Sequence, residues 1–338
     1  MKIIAITPNN KFDAVAPLVI EGLYSLGHHV IATDYGNEVK KAYTDEEVIF
    51  HSKDADYIFV IWGKVRGNMP PKYYLLDRIN RPEDTIYIDG SEWTCSGYPE
   101  GNEKIQSPWQ LEENIGKEEK ISTQIYNSKL DPSKCKGSPW VNQSMLDYCK
   151  LYFKRECYEE DLKTGIIPFN VGCLQKYFGN FKNVKKDIDI FCSYGHLYTG
   201  LRYETYNACK DLQSQGYNVV FSTKMSHRQY LETIARSKIA ISAWGAGNSC
   251  MRLWEIMANK TCCFRQKTEI LFPNEPEDGN HCVVYENIEE FNQKIKNYLK
   301  NPDECIRIGI NGYNHTLKHH VGNAKVKNIF DILKDIKK

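Results

Sequence analysis

Short apolar runs that alternate with helical segments constrain the fold of this chain more than any other feature of its sequence. Four such runs occur before residue 91, at 2–7, 29–33, 56–62 and 85–89. Runs without polar alternation are typical of strands that are buried on both faces of a parallel sheet. A helical spacing of apolar residues over 12–26, ended by Gly27, separates the first two runs. This alternation predicts an α/β fold with ligands at the carboxyl ends of its strands.

The same alternation resumes in the second half of the chain, after an irregular stretch. Residues 95–145 are rich in Gly, Pro, Ser and Lys and show little periodicity, so they predict a loop region. A strand is predicted at 148–154, and 165–169 reads as a crossing between domains. The segments beyond predict strands at 187–192, 218–221, 238–242 and 261–264, and helices at 200–214, 227–236, 250–258, 288–299, 302–311 and from about 324.

The length of the chain indicates more than one core. Two domains are the natural expectation for 338 residues. We therefore predict two Rossmann-like domains that face each other across a cleft, at residues 1–170 and 171–338. The last helix is free to pack back on the first domain.

Charge and cysteine content narrow the class of protein further. The 44 basic and 43 acidic residues leave a net charge of +1, which gives no global electrostatic case for nucleic acid or an acidic membrane. The 12 cysteines include no Cys-x-x-Cys pair and no Cys/His spacing typical of a metal site, so we expect a reduced, cytoplasmic setting without a metal. No apolar run reaches membrane-spanning length, and no secretory leader precedes the first strand, so we expect a soluble protein.

Three turns in the second half follow predicted strands, at 193–200, 222–224 and 244–249. Small residues let a ligand approach the backbone, and basic residues beside them can bind a diphosphate. The third turn also opens a helix, where unpaired N–H groups and the helix dipole favour an anion. The candidate binding residues in and after the turns are Gly195, Arg202, Lys224, Gly247, Asn248, Ser249 and Arg252.

Glu255 lies three residues after Arg252 and shares its helical face. Beside the third turn, the guanidinium of Arg252 can neutralise phosphate charge, and the carboxylate of Glu255 can accept hydrogen bonds from ribose hydroxyls. The alternative is an i,i+3 ion pair on a solvated face, and the two interpretations carry equal weight.

Two carboxylates at the end of the fourth strand are candidates for a catalytic base. Asp89 ends that strand and Glu92 follows it closely. At this edge Asp89 would face the cleft between the domains and accept a proton from an acceptor hydroxyl, with Glu92 as the competing base. The alternative is that Asp89 caps the following turn.

Several segments of the second half resemble the carboxyl-terminal half of GT-B glycosyltransferases, at 237–242, 251–258, 272–285 and 291–302. The spore-maturation (CgeB-like) glycosyltransferases are the most similar group. Residues 152–156 (Tyr-Phe-Lys-Arg-Glu) and 168–172 (Pro-Phe-Asn-Val-Gly) also resemble that group. In the first half, residues 26–30 (Leu-Gly-His-His-Val) resemble a turn frequent in the fold.

A more distant resemblance is to phage DNA β-glucosyltransferase. Asp89 matches its proposed base, Arg202 and Arg252 match its donor-binding arginines, and Glu255 matches its ribose-binding glutamate.

Together these resemblances imply a glycosyltransferase that uses a nucleotide diphosphate sugar, most commonly UDP-linked, as co-substrate without a metal or other cofactor. Asp89 as base implies inversion at the anomeric carbon. Retaining members often carry a second Glu eight positions after the first, and here Cys263 holds that position.

The resemblances leave the acceptor open. A glycan, a small molecule, a protein or modified DNA each fits, and the DNA case would be glucosylation of a hydroxymethylated base. Two alternatives change the activity itself, to a nucleotide-sugar 2-epimerase that needs no acceptor or to a non-catalytic sugar-nucleotide binder.

Overall fold

A computed structural model describes most of the chain, and the statements below refer to the residues that it describes. These are residues 1–7, 15–33, 41–62, 72–90, 141–179, 181, 184–194, 200–222, 225–245 and 248–336.

The first half is built on a parallel sheet, which has six strands within the described residues. They are β1 (Lys2–Ile6), β2 (His29–Ala32), β3 (Tyr57–Trp62), β4 (Thr85–Asp89), β5 (Leu151–Lys154) and β6 (Ile167–Pro168). Their order across the sheet is β2-β1-β3-β4-β5-β6. Every residue of β3 and β4 is buried, as expected of central strands with both faces covered.

Four helices of the first half are described: α1 (Val15–Ser25), α2 (Asp45–Ser52), α3 (Tyr74–Ile79) and α4 (Gln143–Tyr148). The start of α2 is fixed by a capping box, in which Thr44 and Glu47 satisfy each other's backbone N–H groups. Helix α1 carries eight buried residues and covers the sheet on the face that also receives the last helix of the chain.

The second half has its own parallel sheet, with five strands among the described residues. They are β7 (Ile188–Ser193), β8 (Val219–Ser222), β9 (Ser237–Ser242), β10 (Cys262–Gln266) and β11 (Val283–Tyr285). The strand order is β8-β7-β9-β10-β11. In both sheets the first strand lies between the second and the third, so the winding reverses there, and such a switch point opens a crevice at the carboxyl ends of the strands.

Six helices complete the described part of the second half: α5 (Leu201–Ser214), α6 (His227–Arg236), α7 (Met251–Ala258), α8 (Ile288–Lys300), α9 (Pro302–His319) and α10 (Gly322–Ile336). Helix α10 leaves this half and packs along α1 of the first half.

The predicted α/β fold with two parallel sheets is confirmed, and the differences are local. The strand predicted at 148–154 begins only at Leu151, because Tyr148 ends the short helix α4. The side chain of Asn142 caps that helix by accepting a hydrogen bond from the N–H of Met145 at 3.0 Å. The predicted crossing at 165–169 is wrong in part, since residues 167 and 168 extend the first sheet as β6.

Two helical predictions also differ from the structure. Helix α2 was absent from them because its apolar pattern is weak, although Thr44 and Glu47 carry a capping-box signal. The helix predicted at 302–311 continues as α9 to His319.

Candidate functional site

The switch point of the second sheet brings together the ends of β7 and β9. Strand β7 ends at Ser193, and the next residue, Tyr194, is buried with 4% of its surface exposed. The Tyr194 hydroxyl lies 3.0 Å from the hydroxyl of Thr205 on α5. Burial raises the pKa of Tyr194 well above its ordinary value, so this ring is a neutral surface at the floor of the crevice.

Two predicted arginines contact the ring of Tyr194. The guanidinium carbon of Arg202, in the first turn of α5, lies 4.6 Å from the ring centroid, and that of Arg252 on α7 lies 5.3 Å from it. Arg202 also donates from Nη1 to the carbonyl of Trp244 at 2.8 Å. The tertiary structure therefore brings together two cations that are 50 residues apart in sequence, at the edge where this class of sheet binds ligands.

The guanidinium of Arg252 is incompletely satisfied by the protein. Its Nη1 lies 3.5 Å from the carbonyl of Ala243, which is a long contact, and its buried Nε has no hydrogen-bond partner among the described residues. Burial by itself lowers the pKa of Arg252, but Cys250 and Tyr230 and also Glu255 raise it overall. Arg252 is a permanent cation with donor capacity to spare.

Two further buried polar atoms in the residues between β9 and α7 lack partners in the described part of the chain, Nε1 of Trp244 and Oδ1 of Asn248. Buried polar atoms are normally hydrogen-bonded, so a group of unsatisfied ones is typical of a site that takes a ligand or water. Both residues shortly precede Arg252 in the chain, and the carbonyl of Trp244 accepts the hydrogen bond of Arg202, so this part of the chain is the candidate ligand-binding site.

Glu255 lies one turn beyond Arg252 on α7 and is 7% exposed. Its Oε1 is 3.0 Å from Nε2 of His227, the first residue of α6. The imidazole in turn contacts the rings of Tyr177 and Tyr230. The alternative of a solvated Arg252–Glu255 pair is wrong, because Glu255 is buried and its close polar contact is with His227.

Asn248 and Ser249, predicted to bind a ligand through the turn before α7, are engaged by a carboxylate of the first half. Oε2 of Glu156 accepts from the N–H of Asn248 at 3.0 Å and from its Nδ2 at 3.2 Å. Oε1 of Glu156 accepts from the N–H of Ser249 at 2.9 Å. The anion at this helix start is therefore part of the protein itself.

Asp89 ends β4 as predicted, but its carboxylate is 1% exposed. Oδ2 accepts a hydrogen bond of 2.7 Å from the hydroxyl of Tyr152 and lies 3.8 Å from Nζ of Lys154. Both partners lie on the neighbouring strand β5, where Lys154 is directly opposite Asp89. The role of Asp89 as a base stays a prediction, and the observed contacts are those of a buried structural carboxylate.

Gly195, Lys224 and Gly247 of the predicted donor site and Glu92 of the predicted base pair lie outside the described residues. Their proposed roles stay predictions.

Sequence reasoning missed most of the partners of the predicted residues. Tyr194 was part of a predicted turn without a role of its own, and neither His227 nor Trp244 was assigned one. Glu156 lies in the Tyr-Phe-Lys-Arg-Glu segment, whose resemblance to other sequences was the available signal. None of these contacts is local in sequence, so spacing alone gives no access to them.

The described residues contain no group of three or more His, Cys, Asp or Glu side chains placed to hold a metal ion. The ten cysteines of the described residues are all free. Among the helices that the structure describes, none is long and apolar enough to cross a membrane.

Solved structures share this architecture over nearly the whole chain. An alpha-glucosyltransferase in complex with UDP-glucose and DNA containing an abasic site has a TM-score of 0.58 at 9% identity, covering 98% of this chain and 99% of that chain. HepE from Anabaena, in complex with UDP and glucose, has a TM-score of 0.59 at 10% identity, covering 99% and 100%. Sucrose-phosphate synthase from Thermosynechococcus elongatus has a TM-score of 0.55 at 10% identity, covering 99% of each chain.

At these identities the similarity establishes the fold, and the predicted GT-B architecture is confirmed. Residues 181–331 match the family model described as glycosyl transferase-like. No curated protein sequence matches the chain. Residues 181–331 are thus similar in sequence to glycosyl transferases, and the solved structures share the fold of the whole chain. The solved neighbour that binds DNA is an alpha-glucosyltransferase, whereas the sequence resemblance pointed to a β-glucosyltransferase.

Proposed function

We propose that the protein transfers a sugar from a UDP-linked donor to an acceptor hydroxyl. The observation that carries this proposal is the pair of guanidinium groups, Arg202 and Arg252, against the Tyr194 ring at the switch point of the second sheet. Two cations at this edge suit a diphosphate, which accumulates negative charge as the sugar leaves. The structural neighbours bound to UDP or UDP-glucose support UDP as the nucleotide.

A residue is proposed for each part of the UDP-linked donor. Arg202 and Arg252 bind the diphosphate, with Lys224 as a further cation from the sequence prediction. Glu255 accepts hydrogen bonds from the ribose hydroxyls, and His227 holds its carboxylate in place. The rings of Tyr177 and Tyr230 on either side of His227 give this end of the site an apolar wall.

The finer description of the reaction rests on the sequence resemblance. We propose inverting transfer without a metal, with Asp89 as general base and Glu92 as the competing one. The buried contacts of Asp89 with Tyr152 and Lys154 give its carboxylate a structural role as well. The anomeric configuration of the product, read by NMR, decides between inversion and retention. Membership of the spore-maturation group is part of the same proposal, and it rests on the resembling segments of the second half together with residues 152–156 and 168–172.

Titration calorimetry with UDP tests the donor site. We expect Arg252→Ala and Arg202→Ala each to weaken UDP binding by tenfold or more, because a charge-assisted hydrogen bond contributes about 1.5–3 kcal/mol, equivalent to about ten- to a hundredfold in affinity. The matched control is Arg78→Ala, an exposed arginine of α3 that pairs with Glu46 on the first half. UDP binding that survives both substitutions at full strength contradicts the proposal.

Product analysis separates the remaining activities. The protein is incubated with UDP-glucose alone and with a panel of glycan, small-molecule, protein and hydroxymethylated duplex DNA acceptors. Transfer that needs an acceptor supports the proposal, whereas a 2-epimer formed without acceptor indicates an epimerase. Binding without turnover across the panel indicates a sugar-nucleotide binder. Binding to duplex DNA that weakens steeply with salt would single out the DNA acceptor.

A further inference from the structure

Asn248 and Ser249, just before α7, belong to the second half, but a residue of the first half accepts their hydrogen bonds. Glu156 is the second residue after β5 and is completely buried. Its two carboxylate oxygens accept the N–H groups of Asn248 and Ser249 and the side-chain amide of Asn248, over distances of 2.9–3.2 Å. Hydrogen bonds to an ionised acceptor are about twice as strong as neutral ones, so the Glu156 carboxylate attaches residues 248 and 249 firmly to the first half.

Arg155 completes the attachment. Its guanidinium donates to the carbonyl of Gly90 in the first half, at 3.2 Å, and to the carbonyl of Ser249 in the second half. It also lies 3.9 Å from Oε1 of Glu156. Burial raises the pKa of Glu156, and Arg155 together with the loop N–H groups opposes that rise. The side chains of Arg155 and Glu156, in the first half, therefore bind the carbonyl of Ser249 and the N–H groups of Asn248 and Ser249 in the second half.

This attachment fixes the orientation of the Asn248 amide. A carboxylate can only accept, so the Asn248 side chain must direct its NH₂ group toward Glu156. Its Oδ1 then points away from the carboxylate and has no partner among the described residues, although Asn248 is only 5% exposed. A buried carbonyl oxygen without a donor is costly, so a ligand that donates a hydrogen bond there gains affinity.

We infer that Glu156 is a positioning residue for sugar recognition, and that Oδ1 of Asn248 accepts a hydrogen bond from a hydroxyl of the donor's sugar. This inference rests on the proposed function, because it assumes that a UDP-sugar binds at this site. It assigns the diphosphate and the sugar of that molecule to different residues. The diphosphate contacts Arg202 and Arg252, and the sugar contacts Asn248. The position admits a sugar with a free hydroxyl and disfavours one that is deoxygenated or acylated there, which leaves Oδ1 unsatisfied.

The test measures how much more tightly each variant binds a UDP-sugar than UDP. Affinities of the wild-type protein are measured for UDP, UDP-glucose, UDP-galactose and UDP-N-acetylglucosamine. The sugar advantage is the ratio of the Kd for UDP to the Kd for the UDP-sugar that binds most tightly. Asn248→Ala removes Oδ1 but keeps the backbone bonds to Glu156, and we expect it to lower that advantage about tenfold with UDP affinity within threefold of wild type. Glu156→Gln should do the same, because a glutamine NH₂ attracts Oδ1 of Asn248 and turns the amide around.

Asn259→Ala is the matched control, since Asn259 is another buried asparagine of the same segment, at the opposite end of α7. It should leave the sugar advantage unchanged. A purely structural role of Glu156 predicts a lower melting temperature with an unchanged advantage, and it overturns the inference. So does a wild-type protein that binds UDP-sugars no better than UDP, or an Asn248→Ala variant that keeps the advantage. Failure of the proposed function is distinct, because wild-type protein then does not bind UDP at all.

Discussion

At the scale of single residues, the two guanidinium groups against Tyr194 repel each other, and an anion between them relieves that repulsion. Arg252 makes no close ion pair with a carboxylate among the described residues. A ligand that binds only the folded state stabilises it in proportion to its saturation. The arrangement is therefore that of a binding site whose charge is completed by the ligand.

Asp89 is buried against Tyr152 and Lys154, and its role as a base stays a prediction. Asp89→Asn removes a negative charge that faces the fully buried Lys154, so we expect it to lower the free energy of unfolding by about 3 kcal/mol. Urea denaturation at neutral pH gives this value. Activity assayed on the folded fraction then reports any role as a base.

Tyr152→Phe is the companion variant, because it removes the 2.7 Å hydrogen bond to Asp89 but leaves the carboxylate in place. It also removes the 3.1 Å hydrogen bond that the Tyr152 hydroxyl accepts from the N–H of Asn142, so we expect a loss of about 2 kcal/mol from the two bonds. If Asp89→Asn is as stable as wild type but turns over a thousandfold more slowly with unchanged UDP affinity, the carboxylate is a base and the structural role is wrong.

At the scale of helices and strands, the contact between α1 and α10 depends on two glycines. A Cβ atom at Gly22 would lie 2.2 Å from the carbonyl oxygen of Gly322, and one at Gly322 would lie 2.4 Å from that of Leu18. Both obstacles are backbone atoms, which cannot rotate away. The close approach lets the last helix cover the first sheet beside Phe330, which packs against Tyr57 and Phe59.

Gly22→Ala should push these helices apart. In an exposed helix the change would stabilise by about 1 kcal/mol through helix propensity, but here overpacking costs about 1–3 kcal/mol or more. We expect net destabilisation, measured as a lower midpoint of urea unfolding. Ser25→Ala, an exposed position of the same helix, should change stability by less than about 0.5 kcal/mol. Equal midpoints for Gly22→Ala and wild type would show that the helices are less closely packed.

At the scale of the whole molecule, the two halves meet where the chain crosses between them. The chain passes from the first half to the second after Asn170 and returns at His320, and the segments pair through the bridge of Cys173 with Val321. Asn170 contacts Nδ1 of His320 at 3.2 Å and accepts a hydrogen bond from Lys325 of α10. The ring of Trp254 stacks on His320 at 3.9 Å. One apolar core continues through this junction, so both halves share it.

Lys325 makes the stability of this junction depend on pH. Burial lowers its pKa from 10.5 to about 7, so below pH 7 the folded and unfolded states both carry the proton. Between pH 7 and the unfolded value, the unfolded chain holds a proton that the folded protein has released, so this group raises stability as pH rises. We expect the stability of wild type relative to Lys325→Met to rise by about 2 kcal/mol from pH 7 to 9, measured by urea denaturation.

His320 and His319 face Lys325, and burial lowers the pKa of each below its ordinary value with or without the lysine, so neither titrates between pH 7 and 9 and the difference reports on Lys325. Lys334→Met, an exposed lysine of the same helix, should alter stability by less than about 0.5 kcal/mol at either pH. A difference that does not change with pH would show that Lys325 is solvated in the folded protein.

The strands of both halves and three of the charged site residues were predictable because their signals are local. Apolar runs of strand length, such as 2–7 and 238–242, predict the strands. Basic residues after the turns identify Arg202 and Arg252, and the spacing of three residues places Glu255 on the same helical face as Arg252. The environments of these residues were not predictable. Whether Glu255 meets a ribose or His227, and whether Asp89 faces the cleft or Tyr152, depends on side chains tens of residues away.

The sequence by itself therefore determined that the chain forms two parallel α/β sheets, because period and turn chemistry act within a few residues of each other. The tertiary structure alone decided which polar groups are satisfied. Glu156 takes the N–H groups expected to bind a ligand, and Asn248 keeps an oxygen without a donor. The physical reason is that a buried polar group forms hydrogen bonds with the groups that folding brings within about 3 Å of it. The distance between two residues in the sequence does not show whether folding brings them together.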